Sequence, residues 1–96
     1  MEFEWDPRKA ARNLDKHKVS FSEAATIFED PLGLTAPDPD HSEGEIRLIT
    51  LGRSARGRFL MVAHTERSGR LRLISARALT RSERKAYEEE SSRRLG

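Results

Sequence analysis

The chain of 96 residues has no cysteine. Disulfides and thiolate metal sites are thereby excluded, and a reducing compartment suits it. It also lacks any apolar run longer than a few residues, so no transmembrane helix is expected. The opening stretch MEFEWDPRKA has no basic segment leading into an apolar core, so no signal peptide is expected and a cytoplasmic location follows. Internal repeats and low-complexity segments are missing too. The three histidines, His17, His41 and His64, lie far apart with no short ligand spacing, so neither a metal nor another cofactor is expected. No helix-turn-helix with a basic recognition helix is visible, which argues against a direct reader of DNA.

What the chain does have is charge. Hydrophobic and charged residues each make up 35% of it. That is polar for a globular protein but too apolar and too periodic for disorder. The length suits one domain, residues 1–96, with one modest core. The net charge of +2 conceals an asymmetry: residues 1–50 hold 6 Lys/Arg against 11 Asp/Glu (−5), and residues 51–96 hold 12 against 5 (+7). Fourteen of the 18 basic residues are arginine, whose planar fork matches phosphate. A local patch for a polyanion and a solvated, ion-paired surface both account for this pattern.

The periodicities predict an α+β fold. Phe3 and Trp5 alternate with acids as in a short strand, and Asp6-Pro7 reads as a helix start, with the helix running to about His17. Ser20 and Glu23 form a capping box, with Phe21, Ala24, Ala25 and Phe28 at core spacing behind it. Asp30-Pro31 closes that helix. Residues 34–45 read as a loop with room for a short edge strand near Leu34–Ala36. Strands at Ile46–Arg53, Arg58–Arg67 and Arg70–Ala78 follow, the last two joined by a two-residue Ser68-Gly69 turn. Thr80 and Glu83 open a last helix to about Ser92. The expected order is β-α-α, a three-stranded antiparallel meander, then a helix, with the helices on one sheet face and the other free to bind.

Several segments taken in order resemble the BrnT toxin family. They are Phe3-Glu4-Trp5-Asp6 with Lys9 and Asn13, Lys16-His17, Val19-Ser20-Phe21, Glu23-Ala24 and Phe28-Glu29-Asp30-Pro31. His41-Ser42, Glu45 with Arg47, Leu51-Gly52 and Gly57-Arg58 continue the series. Val62-Ala63-His64-Thr65-Glu66-Arg67, Ile74-Ser75-Ala76-Arg77, Glu83-Arg84 and Tyr87-Glu88 complete it. Two departures are Lys18, where the family usually has Gly, and Ala63, where Val is common. The resemblance implies a RelE-like fold and a ribonuclease that arrests translation within a type II toxin–antitoxin system. It further implies a BrnA-like ribbon-helix-helix antitoxin, through which alone operator DNA would be reached.

Metal-free RNA cleavage requires a group that moves protons and fixed cations for the phosphate. His64, at the end of the apolar run Phe59–Ala63, is the first candidate, against the plain reading of a hydrogen-bonded histidine at a sheet end. Glu66, two residues on, shares its face by strand alternation and would orient it or act as a base. Arg67 and Arg77 are candidate phosphate clamps, although Arg67 is out of phase with His64 unless the strand bulges. Arg77 is equally explained by an ion pair with Glu66 or with an acid of the last helix. Tyr87 would bond a phosphate or stack on a base, or else anchor its helix. Lys16, His17, Arg58 and Arg72 are secondary candidates for RNA contact, although Lys16-His17 closes the first helix, where cations suit the C-terminal dipole, a role that explains the pair better than catalysis does. The expected picture is convergence of imidazole and guanidinium groups on one phosphate. The alternative is a non-catalytic nucleic-acid-binding or regulatory partner.

Overall fold

A computed structural model describes residues 1–38 and 44–95. The elements in chain order are β1 (Phe3–Glu4), α1 (Pro7–His17), α2 (Phe21–Ala25), a 3-10 turn (Thr26–Glu29), β2 (Leu34–Pro37), β3 (Leu48–Arg53), β4 (Phe59–Arg67), β5 (Arg70–Ala78) and α3 (Arg81–Leu95). The strands form one sheet in the order β1-β5-β4-β3-β2. The expected meander is its centre, β3 to β5. The sheet is wider than expected because β1 adds parallel to β5 and the edge segment near Leu34 pairs with β3.

Local chemistry sets the boundaries. The Asp6 carboxylate accepts the Arg8 amide at 2.8 Å, and Pro7 follows it at the first helical position. Ser20 Oγ accepts the Glu23 amide at 3.0 Å, but the Glu23 carboxylate turns away to Arg58 and Ser54 instead of completing the box. The second helix is correspondingly short and tightens into the 3-10 turn. Thr80 and Glu83 close their box in both directions. At the β4–β5 turn Ser68 and Gly69 both have positive φ (55° and 78°), the pairing that a tight two-residue hairpin needs.

The core lies between the sheet and α1–α2: Val19, Phe21, Ala24 and Ile27 pack against Leu60, Val62, Leu73 and Ala76. Leu73 and Ala76 are three apart on β5 yet face the same way. The register explains this, because Ala63 pairs with Ser75 and His64 with Leu73, leaving Ile74 as the extra residue of a bulge. Beside it, β5 runs past the end of β1, and Asn13 of α1 occupies the open edge. Its amide donates to Ala76 O at 2.9 Å and accepts from Ala76 N at 3.0 Å, as a neighbouring peptide would, and it also donates to Val19 O.

One expectation is corrected. The helices do not all share a face. Alternation along β4 turns Phe59 and Met61 away from the core formed by Leu60 and Val62, and α3 engages that second face. The Tyr87 ring meets Phe59 at 5.5 Å, the Arg84 guanidinium lies 3.9 Å over the same ring, and Glu83 binds Arg77. The Tyr87 hydroxyl reaches Asp30 at 2.6 Å, fastening α3 to the end of the 3-10 turn. The second face is thus partly covered, because α3 carries a buried anchor, Tyr87, that is held by Phe59 and Asp30.

Candidate functional site

His64 sits on the core face of β4, only 4% exposed. Its Nε2 lies 2.7 Å from Thr50 Oγ1, which lies 2.7 Å from Thr35 Oγ1. The chain His64–Thr50–Thr35 therefore crosses three adjacent strands, β4, β3 and β2. Phe28 stands edge-on to the imidazole at 4.9 Å between centroids. Burial against this ring and the sheet pushes the imidazole pKa down to about 4, so the ring is neutral at physiological pH. His64 also lines a cleft of about 230 Å³ with Met1, Leu48, Glu66, Gly69, Arg70 and Leu71. Glu66 is exposed on its rim, so alternation does bring the imidazole and this carboxylate to one side.

The arginines go elsewhere. Because the bulge lies on β5, alternation along β4 continues and sends Arg67 to the other face, where it pairs with Glu45 at 3.2 Å. Arg77 is the register partner of Met61, on that same second face but toward its opposite end. Both terminal nitrogens of Arg77 bind Glu83, at 2.7 and 2.9 Å. That fork holds the Glu83 carboxyl down to about 2. Tyr87 is buried, and burial together with Asp30 raises its hydroxyl to about 12. The expected convergence of His64, Arg67 and Arg77 on one phosphate is therefore not found. Arg77 and Tyr87 fasten α3, and Arg67 lies across the sheet from the imidazole.

The secondary candidates divide as well. Arg58 binds the buried Glu23 and the Lys18 carbonyl, tying the β3–β4 turn to the junction of α1 and α2. The Arg58 hydrogen bonds, with Ser54 assisting, bring Glu23 down to about 2. Arg72 pairs with Glu4 at 2.6 Å across the β1–β5 contact. Lys16 and His17 remain open, lining a shallow depression of about 190 Å³ with Lys9, Arg12, Asn13 and Ile74. His41 and Ser42 lie outside the described residues.

The model of a family described as "Ribonuclease toxin, BrnT, of type II toxin-antitoxin system" matches residues 5–83. This chain belongs to the BrnT family. Membership of a type II system implies an antitoxin partner, and the family's ribonuclease description implies an RNA target. Among solved structures, the chain is similar to the Brucella abortus ribonuclease toxin BrnT, with a TM-score of 0.62 and 20% identity over 84% of this chain and 99% of that one. At that identity the likeness speaks for the α+β fold. Comparison with curated proteins gives no match.

Within this BrnT chain, Arg70, Thr50 and Arg12 are not among the sequence candidates, whereas Lys16 and His17 of the same α1 face are. Arg70 carried a signal, since it follows the Ser68-Gly69 turn at the same strand end as Glu66. Thr50 carried none, because its partnership with His64 depends on the β3–β4 register. The α1 face was legible as Lys9, Arg12 and Lys16, at i, i+3 and i+7.

Proposed function

We infer that this chain is a metal-independent endoribonuclease of the cytoplasm on a RelE-like scaffold, and that its reaction centre is the cleft holding His64 and Glu66. The observation that carries the reading is that a neutral imidazole and an exposed carboxylate line the same cleft, in a member of a ribonuclease toxin family. The neutral ring accepts the proton of a ribose 2′-OH as the 2′-oxygen bonds to phosphorus. Glu66 stabilises the imidazolium so formed. The same proton then passes to the 5′-oxygen as its bond to phosphorus breaks, leaving a 2′,3′-cyclic phosphate. Arg70 also lines the cleft, but as the register partner of Arg67 it leaves β5 on the face opposite His64, where among the described residues it pairs with the exposed Glu2 at 3.2 Å.

The partner is a BrnA-like ribbon-helix-helix antitoxin, and operator DNA is reached only through it. Purified protein should cleave single-stranded RNA in EDTA and leave cyclic phosphate ends. His64→Gln and Glu66→Gln should each lower the rate at least tenfold while remaining folded by circular dichroism. Full cleavage by both folded variants would refute the assigned centre, and no cleavage by the unaltered protein would favour the binding-module alternative.

A further inference from the structure

We propose that the exposed face of α1 formed by Lys9, Arg12 and Lys16, with His17 at its end, is the track that holds the phosphate backbone of single-stranded RNA. This deepens the ribonuclease reading and rests on it for the choice of RNA as ligand. Three observations point to this face.

The first is where the structure leaves cationic charge uncompensated. Most arginines of the strands and of α3 are matched by a carboxylate: Arg58 by Glu23, Arg67 by Glu45, Arg70 by Glu2, Arg72 by Glu4, Arg77 by Glu83 and Arg84 by Glu88. Among the described residues, Lys9, Arg12 and Lys16 have no ion pair and all three are exposed; Arg8, Lys18, Arg53, Arg81 and Lys85 also have none, but only Lys9, Arg12 and Lys16 of these line one depression together. The second is that they line one surface depression, floored by Asn13 and the bulge residue Ile74. Two helical turns separate Lys9 from Lys16, about 10 Å, which spans about three phosphates of a stacked strand.

The third observation concerns the helix dipole. The N-terminal end of a helix favours anions and its C-terminal end cations. In α3 this is obeyed, with Glu83 in the first turn and Arg93 and Arg94 in the last. In α1 the first turn has no acid and carries Arg8 and Lys9, with only the capping Asp6 against them. Folding does not call for cations there. Lys16 and His17, in the last turn, obey the rule, so within the track it is Lys9 that departs from it, with the Asp6 carboxylate as the opposite charge that acts on it. Asp15 is the single carboxylate within α1, so the helix is cationic along its length.

The test uses the whole protein and a 2′-O-methyl oligoribonucleotide, which lacks the attacking hydroxyl and so reports binding alone. Affinity is measured by fluorescence anisotropy over a salt series. Each lost phosphate contact lowers the slope of log K against log salt by about 0.7. Lys9→Ala/Arg12→Ala/Lys16→Ala should therefore lower it by about 2 and weaken binding at least tenfold at low salt. Lys85→Ala/Arg93→Ala/Arg94→Ala, which removes the same net charge from α3, should leave the slope near its original value. Equal loss in both triple variants would reduce the effect to net charge and overturn the proposal. So would an unchanged slope in the α1 variant, or an α1 variant that loses its antitoxin while holding RNA normally. If the unaltered protein binds through α1 but cleaves no RNA, the track stands and the catalytic reading fails.

Discussion

The burial of His64 ties the stability of the fold to pH, with a sign and size fixed by one side chain. An unfolded imidazole titrates near 6.5 and this one near 4. The folded state therefore resists binding a proton that the unfolded state takes up. His64 stabilises the fold fully above pH 6.5, and that contribution drains away as the pH falls toward 4. Integrating between the two values removes about 2 kcal/mol from pH 7 to pH 5, and about 3 kcal/mol once the pH is below 4. The acid-sensitive carboxylates act in a separate window. Glu23 and Glu83 are held down to about 2 from 4.5, so what they contribute is lost only below pH 4.5. Denaturant unfolding followed at pH 7, 6 and 5 should show stability falling by about 2 kcal/mol, and His64→Gln should flatten that dependence. A variant that keeps the original slope would refute the claim that burial of this imidazole governs it. Thr50→Val would then locate the error, since loss of its hydroxyl should move the ring's titration in an NMR experiment.

Two other side chains make sharp predictions. Replacing Asn13 with Ala strips both backbone groups of Ala76 and the carbonyl of Val19 of their partner inside a buried contact. The expected loss is about 2–4 kcal/mol, read from chemical denaturation, and a loss under about 1 kcal/mol would mean that water replaces the amide. Lys18 ends α1 at φ 59°, a left-handed position where its Cβ is strained. Lys18→Gly should raise stability by about 1 kcal/mol in the same assay, and a destabilised variant would show that the Lys18 side chain contributes more than its backbone costs.

The elements were legible where one residue type has one physical use. Asp6-Pro7, Ser20 with Glu23, Thr80 with Glu83, and Ser68-Gly69 all marked boundaries, because caps and tight turns are set by a few adjacent atoms. Lys18 in the place of a family glycine was visible in the sequence as well, and the left-handed cap at that position explains the family's usual choice. What stayed hidden depends on register. The bulge at Ile74 cannot be read from a run in which Leu73, Ile74 and Ala76 are all apolar. On its placement depends whether Arg67 joins His64 or faces away. The placement of α3 was hidden for a related reason. Tyr87 with Ala86 announced an anchoring role, but nothing in the chain says which sheet face receives it until Phe59 and Asp30 are brought together.

The charge asymmetry between the halves takes on a different meaning in three dimensions. Acids of the first half meet arginines of the second at Glu2–Arg70, Glu4–Arg72, Glu23–Arg58 and Glu45–Arg67. The surplus of +7 in the second half is thus largely the complement of the first half, and much of it is unavailable to RNA. The pairs are not equally committed. An exposed ion pair contributes about 0–1 kcal/mol, so a phosphate can displace Glu2 from Arg70 or Glu45 from Arg67 at little cost. Arg58 and Arg77 are held in forks, against carboxylates driven down to about 2. Opening either would strand a carboxylate in a place where the fold relies on its charge. A polyanion therefore finds unpaired cations on α1, exchangeable ones at Arg70 and Arg67 on the other face of the sheet, and the two fork arginines only if the fold itself gives way.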